Sequence, residues 1–213
     1  IEVATTTLRL VIINKESNKI VATSSVSIDY IKRGIVKDVE ALTKSIRTLI
    51  SQTNKSYLNN IKKVVIALSG AALSSISSAA EIRINNKNHV VDESIIEEIF
   101  RRVESKIPEN ISQNKKIIQL IPQKYKIDGK SINTNKPSGL SGSVFELQAL
   151  CIFTTKQHLE NILLACEDNN LVVEDVIVAE YAYSKNQVNE ADRLAGVCIV
   201  NIGGDTTTII TYE

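Results

Sequence analysis

Methionine and tryptophan are absent from these 213 residues, and proline, phenylalanine and cysteine number only 3 each. No apolar run approaches the roughly 20 residues that a membrane-spanning helix needs. No signal peptide opens the chain. The cysteines, Cys151, Cys166 and Cys198, are odd in number and lack C-x-x-C spacing, which argues against a disulfide framework and against zinc. Each lies in an apolar stretch, so buried free thiols in a reducing compartment are expected. Net charge is almost missing too: 25 Lys+Arg against 24 Asp+Glu leave +1. That balance removes the electrostatic basis for nucleic-acid binding. The two histidines, His89 and His158, stand far apart without a matching partner, and no general base is read from them. The lack of methionine and a start at Ile1 fit a piece trimmed from a longer protein, as does a strand-like end at Glu213.

Hydrophobic periodicity supplies most of the organisation. Ile1–Ile13 reads as a strand, a Thr turn and a second strand, and Lys19–Ile28 as a third, which suggests an antiparallel meander. Val36, Val39, Leu42, Ile46, Leu49 and Ile50 fall at three- and four-residue spacing and mark an amphipathic helix. Lys63–Leu68 is a buried strand. Ala71–Ala80 is small and Ser-rich, a linker signal, with a short strand at Glu81–Ile84. Asp92-Glu-Ser94 is the capping stretch of a helix carrying Ile95, Ile96, Ile99, Phe100 and Val103, and Pro108 stops it. Lys116–Ile121 is a strand that Pro122 breaks or confines to an edge. Ser131–Ser143 is a loop and Val144–Phe153 a long strand. A helix over Lys156–Asp168 takes Thr154 or Thr155 as its cap. Leu171–Val178 is a strand, Ala179–Val188 a helix, and two strands close the chain.

Two turns carry the chemistry. The closing hairpin has Gly203 and Gly204 at its tip, where bare backbone permits positive φ and lets a ligand approach. Thr206 or Thr207 adds a hydroxyl donor. The opening hairpin has a similar tip at Ala4, Thr5, Thr6 and Thr7. Successive N–H groups at such turns form anion-binding concavities, and two facing tips form a phosphate clamp.

The ordered motifs resemble the bacterial cell-division FtsA family of the actin-like ATPase superfamily. Glu2-Val-Ala-Thr5 resembles its first phosphate loop and Val200-Asn-Ile-Gly-Gly204 with Thr206 its second. Lys32-Arg-Gly34 with Asp38-Val-Glu40 resembles the stretch before its first helix. Ile66-Ala-Leu-Ser-Gly70, Ile121-Pro-Gln-Lys-Tyr125 with Ile127-Asp128, and Pro137-Ser-Gly-Leu-Ser-Gly142 resemble signatures of the family itself. The resemblance implies an α/β fold: an actin-like (ribonuclease-H-like) lobe with an inserted strand–helix–strand–strand (SHS2) subdomain. The lobe's first segment would be 1–71, the insertion 72–153, the lobe's second segment 154–190, and a truncated second lobe would start at 191–213.

The same resemblance implies ATP and Mg²⁺ as cofactors of the full-length protein. Ala4, Thr5, Thr6, Thr7, Gly203, Gly204, Asp205, Thr206 and Thr207 would line the nucleotide site, with Glu2 and Asn201 holding hydrated Mg²⁺. Mg²⁺ prefers hard oxygen ligands and keeps several waters. Ala4 stands where the family has Gly, Asn201 where an acid is common, and Asp205 where a third Gly is usual. These departures point to at most a weak ATPase. Glu180 stands where the family often has Gly in a helix nearing the nucleotide; as a residue it reads as a solvated carboxylate favoured by the helix dipole. Tyr125 and Gln123 are candidates for an interaction surface or for strand-edge packing. The family's partners are the FtsZ ring, later division proteins and further copies of itself. Its location is cytoplasmic, on the inner face of the cell membrane at the division site, through a C-terminal helix not in this chain. A degenerate adaptor without hydrolysis and a pilus-assembly platform of the PilM type are the alternatives.

Overall fold

A very short strand and two long ones open the chain. β1 (Glu2–Val3) pairs antiparallel with β2 (Thr7–Asn14), which pairs antiparallel with β3 (Lys19–Ser27). In β2 the alternation is strict: Leu8, Leu10 and Ile12 are buried, whereas Arg9, Val11 and Ile13 are exposed. The small hairpin of β4 (Ile31–Lys32) and β5 (Ile35–Val36) follows, so Val36 belongs to a strand and not to the helical stripe. α1 (Val39–Gln52) is capped by the Asp38 carboxylate, which accepts from Ala41 N at 2.9 Å. Its Leu42, Ile46 and Leu49 are buried, the stripe that three- and four-residue spacing dictates. β6 (Lys63–Leu68) then enters the sheet parallel to β1.

The computed structural model describes residues 1–32, 34–53, 61–134, 136–204 and 206–212, and divides the chain into two units, Ile1–Leu73 with Thr155–Glu213 and Ser74–Thr154. Arg33 of the Lys32-Arg-Gly34 stretch lies outside the described residues.

The second unit opens with β7 (Leu73–Arg83), which spans both the stretch read as a linker and the strand expected after it. Ser74, Ile76, Ser78, Ala80 and Ile82 share its less exposed face and Ser75, Ser77, Ala79, Glu81 and Arg83 the exposed one, a strand pattern thinned by small residues. α2 (Glu93–Ser105) is capped by Asp92, which accepts from Ile95 N at 2.9 Å. A short turn of helix, α3 (Glu109–Ser112), leads to β8 (Lys115–Ile127), the three-residue strand β9 (Lys130–Ile132) and β10 (Val144–Thr155). The sheet order is β7-β10-β8-β9. β8 runs straight through Pro122. That residue precedes the stretch Tyr125–Ile127 that β9 covers, where a missing N–H is tolerated. Ile95, Ile99 and Val103 of the helix pack on Phe145, Leu147, Ala149, Cys151 and Phe153. Tyr125 belongs to this core: it is buried and stacks on Phe145 with ring centroids 5.7 Å apart, so it offers no interaction surface. Gln123 is exposed and accepts from Ser77 Oγ. Arg101 and Arg102 both pair with Glu98 on the helix surface.

The chain returns to the first unit through α4 (Lys156–Glu167), capped by Thr155. β11 (Val172–Val178) runs parallel to β6 and completes a mixed five-stranded sheet of order β11-β6-β1-β2-β3, with α1 and α4 packed together. α5 (Ala179–Gln187) leads to a second short helix that periodicity did not reveal, α6 (Glu190–Ala195), started by an Asn189–Asp192 capping box. β12 (Val197–Ile202) and β13 (Thr207–Tyr212) form the closing hairpin. Cys151 and Cys166 are buried free thiols, but Cys198 is exposed. It shares the outward face of β12 with Val200 and Ile202, because residues two apart on a strand point the same way.

Two features invite tests. Gly34 has φ +72°, and a Cβ there would lie 2.8 Å from Ser69 O and 3.0 Å from Gly70 Cα. Gly34→Ala is therefore expected to lower stability by about 2 kcal/mol or more, read from urea unfolding, because strain and backbone collision add. His158 is buried, accepts from Val36 N through Nδ1 at 3.3 Å, and burial lowers its pKa from 6.5 to about 4. Between those values the unfolded chain binds a proton that the folded chain refuses. Its contribution is thus present above pH 6.5 and lost as pH falls towards 4. The difference in pH slope between the wild-type chain and His158→Gln, at most about 1.4 kcal/mol per pH unit, checks this.

Candidate phosphate cleft

β1 ends and β2 begins around the first tip, which Ala4 N closes by donating to Thr7 O at 3.2 Å. The second tip is closed in the same manner, Gly203 N donating to Thr206 O at 2.8 Å. Both tips border one cleft of about 370 Å³, within the usual size range of small-molecule sites, about 300–1,000 Å³. Glu2, Ala4, Thr5, Thr6, Thr7, Asn201, Gly203, Gly204 and Thr206 all line it. Asp205 lies outside the described residues.

The tips touch. A Cβ on Gly204 would come within 2.8 Å of Thr6 Cγ2, and one on Gly203 within 3.0 Å of Thr206 O. Neither glycine has positive φ. Their absent side chains serve close approach and not an unusual backbone. Ala4 takes the remaining small position, and its methyl faces a cleft otherwise rich in hydroxyls.

Thr207 is not part of the lining. The two-residue period of β13 puts Thr206 and Thr208 on the cleft side and leaves Thr207 exposed on the other. Thr208, opposite Asn201 in the hairpin register, is the residue that sequence reading passed over. Ser69, at the end of β6, also lines the cleft, so the Ser-Gly that ends the strand has a place in the site as well as in the fold.

Glu180 corrects a second expectation. It is buried, not solvated, with 5% of its surface exposed. Its Oε1 accepts from Thr208 Oγ1 at 3.2 Å, and its Oε2 finds no hydrogen-bond partner among the described residues. Burial raises its pKa above the ordinary glutamate value, partly offset by hydrogen bonds from backbone N–H groups and Thr208. The sequence signal was present but ambiguous: a carboxylate at a helix start suits solvent and a cleft equally. On the opposite side Glu2 pairs with Arg9, Nη1 to Oε2 at 2.8 Å. No cluster of His, Cys, Asp or Glu able to hold a metal by itself occurs among the described residues. A hydrated Mg²⁺ held through water by Glu2 and Asn201 needs no such cluster, and both residues line the cleft.

The raised pKa fixes a sign. Glu180 stabilises the fold most below pH 4.5 and loses that contribution as pH rises through its folded value. Glu180→Gln is expected to be more stable than wild type at pH 7, the gap closing below pH 4.5 in thermal melts.

The SHS2 domain inserted in FtsA matches residues 70–153. Cell division protein FtsA of Streptococcus pneumoniae serotype 2 is 22% identical over 215 residues, 100% of this chain and 46% of the relative. That of Escherichia coli K12 is 29% identical over 180 residues, 84% of this chain and 41% of the relative. The chain thus spans less than half the length of these curated relatives. Among solved structures, the PilM-PilN type IV pilus biogenesis complex holds a chain of the same fold, with TM-score 0.65 and 18% identity over 99% of this chain and 56% of that one. The inserted SHS2 domain and the similarity along the whole chain make this a sequence similar to the N-terminal part of FtsA proteins, on an α/β fold shared with the pilus-complex chain.

Proposed function

We propose that the chain supplies the nucleotide-facing part of an FtsA-like cell-division scaffold. In this reading 1–71 and 154–190 are two segments of one actin-like lobe, 72–153 is the insertion, and 191–213 begins a second lobe. The observation that carries the reading is the meeting of two hydroxyl-rich hairpin tips, Thr5–Thr7 and Gly203–Thr206, at one cleft. The comparisons add relatives named for cell division.

The chemistry of the cleft suits a polyphosphate. Thr5, Thr6, Thr206 and Thr208 bring hydroxyl donors, and Gly203 and Gly204 let phosphate oxygens come close to backbone. Glu2 and Asn201 would hold a hydrated Mg²⁺, whose charge offsets that of the phosphates. Glu180 places a buried carboxylate across the cleft from them, able to accept a hydrogen bond from a group bound there. ATP is the nucleotide that the family relation favours. Efficient hydrolysis is not part of the proposal: Ala4 adds a methyl at the first tip, and Asn201 brings no charge. Self-association, tethering of the FtsZ ring to the inner membrane face and recruitment of later division proteins belong to the same reading at full length. No helix among the described residues is long and apolar enough to cross a membrane, so membrane attachment in this reading is peripheral and lies elsewhere in the protein. A second reading, an adaptor that has lost nucleotide, is favoured by the engagement of Glu2 with Arg9.

A chemical-shift titration of the isotope-labelled chain with Mg·ATP separates the two, since it registers weak binding. Saturable shifts at Ala4–Thr7 and Gly203–Thr208 are expected. Shifts that are absent or scattered over the surface would favour the adaptor.

A further inference from the structure

Arg9 is the one cationic side chain among the described residues that line the cleft, which also holds the carboxylates of Glu2 and Glu180. Register puts it there. Glu2 and Arg9 face each other across the antiparallel β1–β2 pair, on the side of the sheet away from buried Leu8 and Leu10. Their ion pair is short at 2.8 Å but open, with 52% of the Arg9 side chain and 35% of the Glu2 side chain exposed. Exposed pairs of this kind stabilise a fold little. The β1–β2 ladder stands on backbone pairing and on Val3 and Leu8 beneath it. Breaking the pair therefore costs the fold little, and the guanidinium can move.

An anion entering this cleft meets a single positive side chain, already held by a carboxylate. Glu2 competes with it for the same guanidinium N–H groups. A divalent cation on Glu2 removes that competition. By linkage, anything that draws Arg9 off Glu2 also strengthens cation binding there by the same factor.

We infer that Arg9 is the phosphate-binding cation of this cleft, and that its pairing with Glu2 makes phosphate uptake depend on a divalent cation, which takes Glu2 and releases Arg9. The inference rests on the reading of the cleft as a phosphate site. It assigns a role to a residue that neither hairpin tip contains, and it gives the Glu2–Arg9 pair a function as a gate. The guanidinium fork suits two phosphate oxygens at once, whereas Lys at the same position presents a point charge.

The test uses the 213-residue chain, with inorganic tripolyphosphate as the probe, with and without Mg²⁺. Affinities are read from chemical-shift titrations of wild type, Arg9→Gln, Arg9→Lys and Glu2→Gln, each checked for a native spectrum. Wild type is expected to bind about tenfold more tightly with Mg²⁺ than without. Glu2→Gln should bind metal-free tripolyphosphate several-fold more tightly than wild type and lose most of the Mg²⁺ effect. Arg9→Gln should lose about tenfold with Mg²⁺ but little without it, and so lose most of the Mg²⁺ effect, and Arg9→Lys should recover part of it. Unchanged metal-free affinity in Glu2→Gln, or wild-type affinity with Mg²⁺ in Arg9→Gln, overturns the gate while leaving the phosphate cleft standing. Failure of wild type to bind tripolyphosphate under either condition overturns the phosphate reading and the gate with it.

Discussion

The cleft hangs from a strand of two residues. β1 is held on one side by β2 and on the other by β6, with Glu2 opposite Arg9 in one ladder and Ala67 in the other. Val3, the other residue of β1, is almost fully buried. A strand so short has no freedom to slide: a shift of one residue would put Glu2 into the core and Val3 into the cleft. The first tip, the Glu2 carboxylate and the facing guanidinium therefore share one fixed frame. The parallel run of β6 and β11 beside it aligns the ends of those strands, Ser69 and Ala179–Glu180, with the same opening. In parallel α/β sheets the space beyond the carboxyl ends of strands is the usual place for a ligand.

Much of the fold was legible because burial here follows simple periods. The stripe of α1, the cap-to-stop span of α2, and strands β6, β10 and β11 have the apolar spacing their geometry demands. β7 was not legible as one strand, since serine and alanine carry little hydrophobic signal even when they alternate correctly. α6 escaped for a related reason: at six residues it has no room for a stripe and stands on its capping box. Tyr125 illustrates a different limit. A tyrosine in a polar run reads as surface, and only the stacking on Phe145, brought from a strand 20 positions away, makes it core.

The site was legible at its tips and illegible at its walls. Glycine and threonine in a turn announce exposed backbone, so Thr5–Thr7 and Gly203–Gly204 could be read locally. Choosing between Thr207 and Thr208 required knowing which face of β13 meets the cleft, and that is set by pairing with β12. Glu180 and Arg9 are ordinary residues of a helix start and a strand. Their meaning comes from what stands opposite, Thr208 in one case and Glu2 in the other. Charge at this site is a tertiary property.

The close approach of Gly34 and Gly70 has a consequence for how such a sequence can drift. Each has a left-handed backbone, and a Cβ added to either would lie 3.0 Å from the other's Cα. A compensating change at one position cannot make room at the other, because each residue is held by its own φ as well as by its neighbour. The two sites are thus closed to the stepwise exchange by which packed pairs usually diverge. They act as a fixed point around which the hairpin before α1 and the end of β6 can vary only in the residues that do not meet.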